Sequence, residues 1–404
     1  MLNRRTFLKG LVSGSAVTGA GLLVPRSLRA GELPMGATES AVWAALSGKK
    51  PLIKRTYRPP NFETPIRTFS DVVTPNDQFF VRWHLAHIPQ VVAETWRLKV
   101  GGDSVERPFE LTLDRLKRDF EPVELFAVCQ CAGNRRGFSE PHVPGVQWGA
   151  GAMGNARWKG VRLRDVMARA GLKRDALEIV FGGADYGAID ETPDFIKSLP
   201  LWKALDENTL VAYEMNGEAL PHWSGFPVRL VVPGWSGTYW MKQLISISAT
   251  SKPEKGFWMS KAYRIPKDKF PLIDRFYSQE GEANTPITDM VVNSLMTNVE
   301  EGQHLRAGQS TTIAGLAWDG GHGIRRVEVS VNGGRTWREA QLEQDYGRFS
   351  FRAWRHTFTP RRGGKHVLMA KATNRQGSTQ PYELVFNPAG YHNNVVQRIT
   401  VEVV

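Results

Sequence analysis

The chain has 404 residues, 41% hydrophobic and 23% charged, which is ordinary for a globular protein large enough for two or three cored domains. Its net charge is +12, but Arg4, Arg5, Lys9, Arg26 and Arg29 lie in the first 30 residues without any acid, leaving +7 for the rest. No basic run of nucleic-acid type, zinc-finger spacing or RNA-binding signature accompanies that excess. No nucleic-acid partner is therefore expected, and a small anion or an acidic protein suits the charge better. The two cysteines, Cys129 and Cys131, are one residue apart. They cannot staple a chain of this length, a bridge between them would be strained, and two thiols do not complete a structural zinc site.

In chain order, Asn3-Arg4-Arg5-Thr6-Phe7-Leu8-Lys9 has the pattern of a twin-arginine export signal. A weakly apolar, Gly- and Ser-rich stretch follows from Gly10 to Val24, and Ser27-Leu28-Arg29-Ala30 offers a cleavage site. The stretch is too short and glycine-rich to span a bilayer comfortably, so no membrane anchor is expected. The expectation is a periplasmic protein, exported folded, with residues 1–30 as signal peptide.

Residues 31–75, rich in Pro, Thr and Arg, read as an extended wrap. From Phe79 to about Ser248 the pattern is mixed α and β, with buried strands expected at Phe79 to Val81 and Val123 to Val128. Leu163 to Ala170 followed by Gly171 predicts a short helix with a glycine stop. Gly225 to Gly234 reads as a strand bounded by Pro and Gly. Gly281 to Pro286 is polar and turn-forming and marks a boundary, dividing the mature chain into 31–282 and 283–404. Beyond it, Val327 to Val331 alternates, Asn332-Gly333-Gly334 turns, and Thr336-Trp337 begins a return strand. With further strands at His366 to Ala372 and Val396 to Val403, a β-sandwich of immunoglobulin type is expected.

Several segments carry chemistry. Cys131-Ala132-Gly133-Asn134-Arg135-Arg136-Gly137-Phe138 sets a sulfur at the end of an apolar run, beside two fixed positive charges. That composition suits a soft metal ligand near a small oxyanion. A buried cysteine is more often a small hydrophobe, as Cys129 reads, and a catalytic nucleophile is a third reading for Cys131. In a strand, Arg82 and His84 of Phe80-Val81-Arg82-Trp83-His84 would share a face, although alone that pattern more often marks an exposed sheet face. Arg229 and Lys242, the latter in Trp240-Met241-Lys242, could grip a phosphate or be solvated surface charges. Tyr263 reads as a packed aromatic and Asp185 as an Asx-turn residue.

Taken in order, Phe80 to His84, Cys131 to Phe138, Gly149 to Ala156, Tyr213 to Gly217, Gly225 to Arg229 and the final β domain resemble the sulfite oxidase family of mononuclear molybdenum enzymes. The resemblance implies an α+β fold, a mixed molybdopterin domain followed by an immunoglobulin-like dimerisation domain. It implies one molybdenum–molybdopterin per chain, with Cys131 as the protein's metal ligand beside a pyranopterin dithiolene. Arg82, Arg136 and Tyr263 match the oxyanion pocket. His84 with the backbone of Phe80, Val81, Arg82 and Trp83 matches the pterin-binding segment, and Asp185, Arg229 and Lys242 match further pterin contacts beside Trp240 and Met241. Ser224 stands where animal members carry a pterin-contacting histidine, with His222 two residues earlier. The animal members' cytochrome b5 domain has no counterpart after the leader, and no Cys-x-x-Cys-His motif is present, so no haem is expected in this chain.

The implied reaction is oxidation of sulfite to sulfate, with electrons leaving singly to a periplasmic cytochrome c or a haem subunit. The bacterial sulfite dehydrogenases of the family look most similar. Oxidation of a sulfane sulfur on a carrier protein and methionine sulfoxide reduction are alternatives, and a non-catalytic periplasmic binding module is the rival from another class.

Overall fold

The computed structural model describes residues 42–267 and 283–404. The leader, and the start of the expected boundary at Gly281, lie outside the described residues.

The first domain is built on three sheets. A small one joins Trp43–Ala44, Leu52–Thr56, Asn61–Glu63 and Val81–Arg82 in sequential order, so the region read as an extended wrap in fact pairs into a sheet. A second has five strands, with Leu244–Thr250 central between Glu178–Gly183 and Leu98–Gly101. The third centres on a long antiparallel pair, Pro122–Gln130 against Met153–Arg162, extended by Leu210–Met215. Strands outweigh helices throughout the described residues. Leu113–Asp119 is a helix capped by the Thr112 side chain, which accepts from the Arg115 amide. Leu163–Ala170 is the helix expected from its sequence, and Gly171 ends it in the left-handed region at φ 71°.

The C-terminal domain is two sheets around a shared core. One orders Asn293–Met296, Thr311–Trp318, Arg352–Phe358 and Gln341–Leu342. The other orders His304–Leu305, Gln397–Val403, Gly364–Asn374, Ile324–Ser330 and Arg338–Glu339. Ile313 and Trp354 from the first meet Val327, Leu368 and Val401 from the second, all essentially buried. The expected hairpin is there, with Gly333 and Gly334 at φ 69° and 86° in its turn.

Three local expectations change. Gly225 to Gly234 is extended only at Arg229–Val231, because His222–Ser224 forms a helical turn and Gly225 is left-handed at φ 108°. The strand expected from Phe79 covers only Val81–Arg82, so strand alternation does not place Arg82 beside His84. At the expected boundary, Asn284–Pro286 is a strand paired with Arg264–Pro266 rather than a turn.

The two domains share a third core. Phe69, Val128 and Met153 pack with Met290, Leu295, Leu316, Trp318 and Phe351. The Trp318 indole donates to Gln130 Oε1 at 2.7 Å, and the Val128 amide to the Phe349 carbonyl at 2.9 Å. The strand that ends in the Cys131 loop is thus held from both sides.

Candidate active site

Where that strand ends, a cavity opens between the sheets. It is lined by Phe80, Arg82, His84, Cys131, Asp185, Ser224, Arg229, Trp240, Met241, Lys242 and Tyr263 among the residues singled out from sequence. Val81 is instead packed with Leu52 and Phe62 in the small sheet's core. Trp83 lies behind the wall, with Lys242 Nζ 4.3 Å from its ring centroid.

Arg136 is the principal departure. It does not line the cavity. Its guanidinium donates to the Ala389 carbonyl at 2.8 Å and to the Val146 carbonyl at 3.1 Å. The glycines around it make that room: a Cβ on Gly133 would come within 2.4 Å of the guanidinium, and one on Gly390 within 2.7 Å of its stem. Arg135 also turns to the C-terminal domain, donating to the Val395 carbonyl at 2.8 Å.

Sequence reading missed Cys129, Phe79, Phe195, Trp223 and Thr238 in the wall. Cys129 could have been found: it lies two residues before Cys131, near the end of the strand that leads into the Cys131 loop. Burial pushes its thiol pKa up, against Arg229 and Lys242, so this sulfur stays protonated. Phe195 had no local signal; it arrives by stacking on His84, ring centroids 3.8 Å apart.

At the Cys131 end, three polar side chains converge. Arg82 Nη2 donates to the Tyr263 hydroxyl at 3.3 Å, and His84 Nε2 meets the same oxygen at 2.5 Å. Burial, then Arg82, Lys242 and Lys197, drive the His84 pKa well below the usual histidine range, so the ring is neutral. Burial also raises the Tyr263 pKa, with Arg82 opposing. Burial works against the Arg82 charge, but Tyr263 and Cys131 beside it hold the guanidinium above its ordinary value. The result is a fixed cation and a protonated phenol beside the sulfur.

At the other end, Arg229 lies against the indoles of both Trp158 and Trp240, 5.0 and 5.6 Å from their centroids, and donates to the carbonyls of Ser224 and Trp240. Lys242 donates to the Arg82 carbonyl at 2.8 Å, and burial, then Arg229, pull its pKa down to about 8. Asp185 is the one carboxylate in the wall among the described residues, and burial raises its pKa.

These features fit an anionic, metal-bearing cofactor. Three cations, Arg82, Arg229 and Lys242, share the wall with one carboxylate, and such an excess suits an anion. Arg229 Nε and Thr238 Oγ1 are buried without a hydrogen-bond partner. No group of three or more His, Cys, Asp or Glu among the described residues could hold a bare metal ion, so a metal at Cys131 must bring most of its own ligands.

Lys197 lies behind Tyr263, its Nζ 5.5 Å from that ring centroid and bonded to the Trp258 carbonyl at 2.7 Å. Burial, then Arg264, pull its pKa down to about 7, against 10.5 ordinarily. Between those values the unfolded chain holds the extra proton, so this site's contribution to stability rises with pH; below about 7 the full cost of burying the charge is present. A Lys197→Met protein should therefore show its most favourable melting temperature, relative to the native protein, near pH 6. That difference should shrink near pH 9, the lost Trp258 contact adding only a constant offset. Paired thermal melts check this, and a difference that grows with pH contradicts it.

Known proteins place this architecture. Residues 84–258 match the model of an oxidoreductase molybdopterin binding domain, and residues 284–404 that of a Mo-co oxidoreductase dimerisation domain. The chain is 34% identical to sulfite oxidase of Gallus gallus over 344 residues, 80% of this chain and 72% of that one. It is 34% identical to mitochondrial sulfite oxidase of Rattus norvegicus over 369 residues, 86% of this chain but 65% of the relative's length. The fold matches the sulfane dehydrogenase SoxCD of Paracoccus pantotrophus at TM-score 0.72 and 24% identity, covering 95% of this chain and 92% of that one. The chain belongs to the sulfite oxidase family of molybdopterin oxidoreductases. Its cofactor is the molybdenum–molybdopterin of that family, to which the cavity's cations and soft sulfur correspond.

Proposed function

We propose that the protein oxidises sulfite to sulfate in the periplasm, after export by the twin-arginine route, and passes electrons singly to an external cytochrome c or haem subunit. The observation that carries this reading is the convergence of Arg82, Tyr263 and His84 beside Cys131 in a cationic cavity. When bound, molybdenum–molybdopterin supplies two-electron oxygen-atom chemistry. Cys131 would be the protein's ligand to the metal. Arg229, Lys242 and Thr238 would hold the pterin's anionic portion, with Ser224, Asp185, Trp240 and Met241 as walls.

The chain's own residues have defined tasks. Arg82 neutralises the sulfite oxyanion and fixes its orientation through two-point donation with the Tyr263 hydroxyl. Donors fixed before the reaction cost no reorganisation as charge shifts. Neutral His84 holds the phenol in place and adds no charge. Phe195 and Trp258 pack around the His84 ring and hold its plane. Arg136 supports the Cys131 loop from behind. The C-terminal domain, read as an immunoglobulin-like sandwich, would carry the homodimer interface.

A second reading, oxidation of a sulfane sulfur on a carrier, draws on Arg136: of the two arginines expected around the oxyanion, only Arg82 lines the cavity. A less charged substrate asks less of it.

The test is metal analysis of protein expressed with its own leader, followed by sulfite-dependent cytochrome c reduction beside thiosulfate and methionine sulfoxide. One molybdenum per chain and sulfite turnover are expected. No molybdenum would remove the enzyme reading, and turnover of thiosulfate alone would move it to the second.

A further inference from the structure

Tyr263 is held in an unusual way. Its backbone is left-handed, φ 58°, a region that residues other than glycine occupy uncommonly. Its carbonyl accepts from the Ile287 amide at 2.7 Å, a contact made by the start of the C-terminal domain. Its ring is met by a second residue of that domain. Tyr391 stacks on it nearly parallel, centroids 5.6 Å apart and planes 10° from each other.

Tyr391 is itself fixed. Asn387, buried, receives the Tyr391 amide at 3.0 Å and donates to the Tyr391 carbonyl at 2.9 Å. The Arg136 guanidinium lies 5.5 Å from the Tyr391 centroid while bonded to the Ala389 carbonyl two residues away. A rigid loop of the second domain thus presses one aromatic plane onto the phenol whose oxygen meets Arg82 and His84. Packing alone would accept any apolar side chain of that volume; a parallel ring held by two backbone bonds and a cation specifies orientation.

We propose that Tyr391 of the C-terminal domain is a positioning residue for the reaction, holding the Tyr263 ring so that its hydroxyl stays between Arg82 and His84. The proposal rests on the reading of that trio as the substrate's anion site. It acts through the ring, so the Tyr391 hydroxyl is dispensable. It also makes the substrate site incomplete without the second domain.

The test uses holoprotein carrying Tyr391→Leu or Tyr391→Phe, each with and without Tyr263→Phe. The leucine variant should raise the sulfite KM about tenfold, while the phenylalanine variant stays within about twofold of native. With Tyr263→Phe present, the leucine penalty should fall below about twofold, because contacting residues that act through one group are not additive. Full additivity, or equal damage from phenylalanine and leucine, overturns the proposal. Crystal structures of the same holoproteins need no turnover and separate this inference from the sulfite assignment. Tyr263 should lose Arg82 or His84 in the leucine variant and keep both in the phenylalanine variant; a Tyr263 that keeps both contacts beside leucine also overturns it. Tyr391→Met replaces the leucine variant if that protein does not fold.

Discussion

Cys131→Ser is expected to leave the fold standing and to abolish turnover. The residue's structural duties are backbone ones: its amide donates to the Ala152 carbonyl and its carbonyl accepts from the Asn134 amide, both at 2.9 Å. Serine makes the same bonds in almost the same volume. What serine lacks is the soft sulfur that suits molybdenum. Removing an outer partner of a metal site typically costs about 10–100-fold, so loss of the ligand itself should exceed about 100-fold. Melting temperature, circular dichroism and molybdenum content should be compared with sulfite turnover in one preparation. Full activity in that variant would remove Cys131 from the mechanism.

Arg82→Gln should raise the sulfite KM strongly, by about 100-fold, the scale of losing one fixed donor to a charged group, about 3 kcal/mol. The guanidinium also donates to Asn61 Oδ1, to the Trp83 carbonyl and to the Tyr263 hydroxyl, so it anchors the pocket as well as facing it. Glutamine is neutral and shorter, and leaves the Tyr263 hydroxyl with His84 alone. The Arg82 carbonyl that receives Lys242 is main chain and survives the change, so cofactor content should hold. Steady-state kinetics with molybdenum analysis checks both halves. An unchanged KM would take Arg82 out of the substrate site, whereas a loss of molybdenum would assign it to the cofactor.

Much of this site could be read along the chain. The apolar run ending at Cys131 is the strand Pro122–Gln130, and the Leu163–Ala170 helix stops at Gly171 as its sequence requires. Arg82, His84, Asp185, Arg229, Lys242 and Tyr263, scattered over 180 positions, do meet in one cavity. What brought them to notice was ordered motifs, since each alone has a commoner explanation. The small sheet of residues 43–82 was not legible, because its strands are two to five residues long and carry no sustained alternation.

The sequence by itself determined the inventory: one soft sulfur beside fixed positive charge, and a β-rich second domain with its hairpin turn. Only the tertiary structure decided which arginine faces the cavity. Arg135 and Arg136 are adjacent in a turn, where no local periodicity sets side-chain direction. The Ala389 carbonyl that claims Arg136 comes from 253 positions away, and the ring that braces Tyr263 comes from the same loop. A guanidinium turns toward whichever acceptors the fold delivers, and those belong to long-range packing rather than to the residues beside it in the chain.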